Sequence, residues 1–270
     1  IDKKKNTLSI ANDRFSSIQL YYYQTRNEVI LSFAYLDILK VAKNELNFKM
    51  RGDIVFEYLW FRRVYGEKTY DSLIKFMKPA RILTFSNGEK SEAVYWMPTF
   101  SKNSNSLNQN SKILADSISE SLARKLSDAN NRKVGLFLSG GMDTRVVLSA
   151  FNKTNNIDML QYFTLGYSKS GEYRVAKQLT KTHHLNHHFV KLPYDYYDRF
   201  WKDKLYMSGG LFNQYSIIFS GHYDSISPHA DLFFHGHGLD YMFQGMYLPT
   251  SAIKLFGKNT YFKTIDNLNS

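Results

Sequence analysis

The sequence predicts an α/β protein, a parallel sheet with helices on both faces over residues 108–270, preceded by a smaller α+β region over residues 1–107. Three observations carry that prediction. The hydrophobic pattern changes after an Asn- and Ser-rich stretch, Ser101–Ser111, that reads as a linker. Beyond it, short apolar strands alternate with helical segments. A glycine pair, Gly140-Gly141, joins the strand at Val134–Leu138 directly to a helix.

Before the linker the strands dominate. Ile18–Tyr23 and Val29–Phe33 are aromatic and β-branched, and Gln24–Asn27 is suited to the turn between them. Phe56–Arg63 has helical character. Arg81–Phe85 and Ala93–Trp96 flank Asn87-Gly88, a strong hairpin signal.

After the linker, Ile113, Leu114, Ile118, Leu122 and Leu126 recur at helical spacing, with Asp116, Glu120 and Lys125 on other faces. The strand Val134–Leu138 follows, then a helix through Arg145–Ala150. Met159–Leu165 reads as a strand, Glu172–Lys181 as a helix, Phe189–Leu192 and Leu232–Phe234 as further strands. Ligands of such sheets bind at the carboxyl ends of the strands, where the glycine-rich segments fall.

Composition narrows the function classes. A hydrophobic content of 43% over 270 residues supplies packed cores and argues against global disorder. Zero cysteines exclude disulfides, thiolate metal sites and a cysteine nucleophile within these residues, and fit a cytoplasmic protein. Residues 1–6 lack the apolar core of a signal peptide, and no run approaches the roughly 20 apolar residues of a membrane span. Ile1 is not an initiator methionine, so a fragment or a processed chain is expected. The net charge of +11 is spread over scattered Lys and Arg, which reads as a basic surface helpful to ATP rather than a nucleic-acid tract.

Ser139-Gly140-Gly141-Met142-Asp143-Thr144 carries the chemistry. Two glycines let the backbone turn and approach a ligand without a Cβ in the way. Amides at the start of the following helix, with its dipole, suit phosphate, and Ser139 and Thr144 add hydroxyl donors. Asp143 repels phosphate directly but serves well as a Mg²⁺ ligand that brings the metal to it. The segment lacks the spaced Gly-Lys-Ser/Thr of a Walker loop. It resembles the Ser-Gly-Gly-x-Asp-Ser loop of the N-type ATP pyrophosphatases, the PP-loop of adenine nucleotide α-hydrolase-like folds, with Thr144 in place of the last serine.

A second segment, His235-Gly236-His237-Gly238-Leu239-Asp240-Tyr241, runs on to Tyr247, and its Gly236 stands 97 residues after Ser139. It resembles the Gly-x-Gly-x-Asp-Glu segment of the glutamine-hydrolysing asparagine synthetases. That resemblance implies a second acid, Asp240, at the Mg²⁺–pyrophosphate site and Gly236 close to the nucleotide. It also implies Leu138 and Leu165 against the adenine ring, although both read equally as core residues. Asn12–Phe15, Leu20–Tyr22 and Val29–Ser32 resemble the last strands of a class II glutamine amidotransferase domain. Tyr65–Thr69, Met77–Pro79 and Val94–Trp96 resemble the bridge from it.

Departures from the family's pattern bear on substrate identity. His237 stands where asparagine synthetases carry a glutamate, and can take a proton from an incoming amine. Tyr241 replaces another glutamate, and Arg145 a small residue. The resemblance implies an ATP-dependent amide-forming ligase that uses ATP and Mg²⁺ and releases AMP and pyrophosphate. Its partners would be a small-molecule carboxylate, aspartate or a related acid, ammonia or an amine, glutamine-derived only if a missing N-terminal part supplies the cysteine, and in the assembly a second copy of the chain; no membrane or nucleic acid is expected. A tRNA-modifying ATP pyrophosphatase and an inactive nucleotide-binding relative are the alternatives. His183, His184, His187 and His188 invite a shared metal, but the following Phe-Val-Lys-Leu indicates that the helix has ended before the last pair.

Overall fold

The computed structural model describes residues 1–42, 49–99, 101, 103–213, 217, 219–243, 250–255 and 257–263. The chain divides into two compact units. One comprises Ile1–Asn103 and Asp195–Gly221, the other Ser104–Tyr194 and His222–Ser270. The return of residues 195–221 to the first unit has no counterpart in the sequence pattern, because it is made by tertiary contact alone.

The first unit begins with β1 (Thr7–Ala11), β2 (Tyr21–Gln24) and β3 (Val29–Ser32), then α1 (Tyr35–Ala42), α2 (Gly52–Phe61), β4 (Lys75–Phe76), β5 (Arg81–Ser86) and β6 (Glu89–Val94). Two three-stranded antiparallel sheets result, ordered β1-β5-β6 and β3-β2-β4. Strand β2 explains the layering. Tyr21, Tyr22 and Tyr23 are all buried, at 2%, 4% and 5% exposure, which alternation allows only if both faces of the strand are covered. Tyr22 packs with Met77, Leu83 and Phe85, and Tyr21 and Tyr23 pack with Tyr35 and Ile38 of α1. Asn87 and Gly88 both take positive φ, 52° and 80°, as the tight β5–β6 hairpin requires.

The second unit opens with α3 (Leu107–Ser127). It starts inside the stretch read as a linker, because Ser106 and Gln109 form a reciprocal capping box that outweighs the poor helix propensity of Asn and Ser. There follow β7 (Val134–Phe137), α4 (Met142–Lys153), β8 (Leu160–Gly166), α5 (Gly171–Thr182) and β9 (His187–Lys191). The short α6 (Tyr196–Arg199) and α7 (Trp201–Ser208) belong to the first unit. The second unit resumes with α8 (Tyr223–Ile226), β10 (Leu232–Phe234), α9 (Leu239–Phe243), and the β11 (Thr250–Leu255) and β12 (Lys258–Lys263) hairpin.

Four strands form one parallel sheet, ordered β10-β7-β8-β9. One face carries Val134, Leu136, Leu138, Leu160 and Tyr162, covered by Leu122 of α3, Val147, Leu148 and Phe151 of α4, and Ala176 of α5. The other carries Phe163 and Val190, with Phe137, Leu165 and Phe233, covered by Ile226 and Ala230. Helices therefore lie on both faces, as the alternating pattern predicts. The strand order reverses at β7, since β8 lies on one side of it and β10 on the other. A crevice beyond the carboxyl end of β7 is where such sheets hold ligands. Among the described residues no helix is long and apolar enough to cross a membrane.

Candidate nucleotide site

At the end of β7 the backbone of Leu138 is pinned to β8: its amide donates to the Phe163 carbonyl at 2.8 Å and its carbonyl accepts from the Thr164 hydroxyl at 2.7 Å. The glycine loop leaves from this anchored point. Thr144, buried at 9% exposure, holds it closed. The Thr144 hydroxyl accepts from the Ser139 amide at 3.3 Å and lies 3.1 Å and 3.3 Å from the Ser139 and Gly141 carbonyls, to which it can donate. The Ser139 hydroxyl accepts from the Gly141 amide at 3.1 Å and sits 3.2 Å from that of Thr144. Both hydroxyls are thus engaged in shaping the loop.

Gly141 is the residue before α4 and offers no side-chain cap. The first amides of a helix have no partner within it, and without a cap they remain available to an anion. Asp143 lies in this first turn, and the Arg145 Nε donates to the Gly141 carbonyl at 3.4 Å.

Two glycines bring other segments onto the loop. A Cβ on Gly140 would come within 2.9 Å of the Glu172 Cα, so the start of α5 rests on the loop backbone. A Cβ on Gly236 would come within 2.7 Å of both the Asp143 carbonyl carbon and the Thr144 nitrogen. Gly236 follows β10, which pairs with β7 in parallel register, Phe234 opposite Leu136. The second glycine segment is therefore seated directly on the first. Asp240 then opens α9, so Asp143 and Asp240 occupy the first turns of the helices that follow two neighbouring strands.

His237 is exposed, and its amide donates to the His235 Nδ1 at 3.2 Å. Burial, and then the charge of His237, hold the His235 ring below the ordinary histidine pKa. A neutral His235 is what the bond requires, since a protonated Nδ1 cannot accept.

The structure thus brings Ser139, Gly140, Gly141, Asp143, Thr144 and Gly236 together, with Asp240 and His237 on the adjoining turn. It does not bring Leu138 and Leu165 together as a bracket. Leu138, at 2% exposure, belongs to the core on one face of the sheet, and half-buried Leu165 packs on the other. The four histidines are also separated: His183 ends α5, His184 takes φ 54°, and His187 and His188 lie in β9. Among the described residues, no three His, Asp or Glu side chains are arranged to hold a metal ion. Gln244–Tyr247 of the second segment lie outside the described residues. Sequence reasoning did not single out Gly135, whose missing Cβ gives room to the Phe163 and Phe233 rings at 2.8–2.9 Å; its only signal was a glycine inside a strand.

The asparagine synthase family model matches residues 114–262, more than half of the chain and both glycine segments. The chain belongs to the asparagine synthase family. It is 26% identical over 208 aligned residues to a putative glutamine-hydrolysing asparagine synthetase 2 of Methanocaldococcus jannaschii. That match covers 72% of the chain and 38% of the relative, so the chain spans well under half of the curated relative's length. Among solved structures, an NH3-dependent NAD synthetase from Campylobacter jejuni overlaps with 50% of the chain and 60% of its own. Its TM-score is 0.37 at 16% identity, a partial overlap on which nothing below rests.

Proposed function

We propose that the second unit binds ATP at Ser139–Thr144 and adenylates a small-molecule carboxylate, which ammonia or an amine then captures as an amide. The observation that carries this reading is the seating of Gly236 on the backbone of Asp143 and Thr144, which sets a second acidic helix start beside the uncapped start of α4.

The loop amides and the dipole of α4 receive the phosphates, while Ser139 and Thr144 keep the loop in the shape that presents them. Of the two leucines only Leu165 retains surface for the adenine ring, because Leu138 is consumed by the core. Asp143 and Asp240 would offer hard oxygen donors suited to Mg²⁺, a reading supported by the seating of Gly236 against the backbone of Asp143. When bound, Mg²⁺ offsets charge on the departing pyrophosphate.

A carboxylate oxygen of the acid substrate attacks the α-phosphorus, and the bond to the bridging oxygen of pyrophosphate breaks with that oxygen taking the electron pair. The amine nitrogen then attacks the acyl carbon of the adenylate, AMP leaves, and His237 takes the surplus amine proton. The protein's share is mainly positioning and charge complementarity. The first unit is read as an amidotransferase-like frame. These residues hold no cysteine, so the nitrogen reaches the second unit as ammonia or a free amine, glutamine-derived only where a segment outside this sequence supplies the thiolate. A cytoplasmic location completes the proposal.

Pyrophosphate release with ATP, Mg²⁺, ammonia and a panel of carboxylic acids tests it. Release dependent on one acid, lost about 100-fold or more in Asp143→Asn with the fold intact, is expected. ATP bound with no release for any acid would leave a nucleotide-binding scaffold and end the ligase reading.

A further inference from the structure

Strand β9 is the outer strand of the parallel sheet, and with His222, Ser225 and His229 it lines an open cavity of about 470 Å³. Small-molecule sites typically occupy about 300–1,000 Å³. Polar groups in its lining include His187, His188, Lys191, His222, Ser225 and His229, and among the described residues no acidic side chain lines it. Half of the chain's eight histidines therefore meet in one place, away from the glycine loop.

Their arrangement is specific. The rings of His188 and His229 lie against each other at a tilt, centroids 4.0 Å apart and planes 33° from parallel, and His188 stacks on Phe163 at 5.0 Å. The His188 Nε2 donates to the Gln161 side-chain oxygen at 2.9 Å, which leaves Nδ1 as the atom that takes up a proton. His222 is 5% exposed, whereas Lys191, Ser225 and His229 are open to solvent. Among the described residues the imidazoles are not grouped to hold a metal ion, and no carboxylate stands in the wall beside them.

We propose that this cavity binds a small oxyanion, a phosphate or a carboxylate, gripped by Lys191, the Ser225 hydroxyl and the rings of His188, His222 and His229. Burial, then the charge of His229, holds His188 below its ordinary pKa. Burial, then His188 and Lys177 of α5, does the same to His187. No carboxylate contributes to either shift. An anion reverses the balance, so binding takes up protons and tightens as pH falls. The site stands independently of the nucleotide chemistry proposed above.

The test follows the ring resonances of ¹³C-labelled histidines in the full chain, at constant ionic strength, during titration with inorganic phosphate and separately with succinate. Saturable shifts of His188 and His229 are expected at about pH 6, with affinity at least ~10-fold weaker at about pH 8. His229→Ala and Lys191→Ala, both at exposed positions, each weaken binding about 10-fold while the His187 resonance keeps its native position. Saturation by both anions supports a general oxyanion site; saturation by one alone assigns the class. No saturation at about pH 6, equal affinity at the two pH values, or indifference to both substitutions would overturn the proposal. Loss of phosphate binding in Gly236→Ala would move the anion to the glycine loop and overturn it equally.

Discussion

Replacing Gly236 with alanine adds a single methyl group where the structure leaves no space. Gly236 does not take the positive φ that would strain any side chain, so the substitution probes packing alone. The new Cβ would stand 2.7 Å from the Asp143 carbonyl carbon, 2.7 Å from the Thr144 nitrogen and 3.0 Å from the Asp143 Cβ. The first two are backbone atoms of the first turn of α4, which cannot rotate away as a side chain would. Carbon atoms pack best at about 3.5–4.0 Å, so β10 or the helix start must retreat by about 1 Å. Overpacking of this kind costs about 1–3 kcal/mol. Displacement by about 1 Å within a catalytic site costs on the order of 100-fold in rate. Gly171→Ala is the matched control, also at a helix start in the second unit but with its nearest atom 4.0 Å away, the end of the Arg174 side chain. Urea denaturation and pyrophosphate release are the assays. Gly236→Ala should lose both stability and rate, and Gly171→Ala neither. Equal behaviour of the two variants would refute the seating of the second glycine segment on the first.

The Thr144 hydroxyl closes the loop from a buried position, so Thr144→Val should cost about 1–3 kcal/mol in urea denaturation through the polar groups it orphans, and Thr144→Ser should recover most of it. Stability should also fall on the acid side. His187, His188 and His235 all have folded pKa values below their unfolded ones, so their contribution is present above about pH 6.5 and is lost as pH falls through the lowered values. The His187 Nε2 is 2.8 Å from the Thr164 hydroxyl, and His187→Gln, which keeps a polar partner there without the titration, should flatten the acid limb of a stability–pH profile.

Much of the second unit is legible in the sequence because its signals are local. Leu122 and Leu126 mark the buried stripe of α3, and the apolar runs at Val134 and Leu160 mark strands covered on both faces. The elements that sequence reasoning passed over lack such signals. β1 follows a lysine-rich turn and becomes a strand through pairing with β5, Thr7 opposite Ser86. The helix start at Leu107 is written in the Ser106–Gln109 box, but Asn and Ser content obscured it. The candidate site divides in the same way. Glycine and acid types point to the loop and its acidic partners by chemistry alone, whereas the direction of each side chain depends on register.

Leu138 and Leu165 show why register matters. Each is an apolar residue at the carboxyl end of its strand, and nothing local separates a leucine facing a ligand from one facing a core. The pairing of Phe137 with Phe163 decides it. Opposite residues share a face, so Leu165 lies with Phe163 and Phe137, and Leu138 lies with Leu136 beneath α4. A slip of one residue would exchange them. The same register sets β10 against β7 so that the first residue able to turn after Phe234 is His235, and the next, Gly236, meets the start of α4. The candidate site is thus a consequence of strand register as much as of its motifs. Substituting a bulky residue at Gly135, where the Phe163 and Phe233 rings fill the space of a Cβ, should spread β10 and β8 from β7 and disable the loop without touching it.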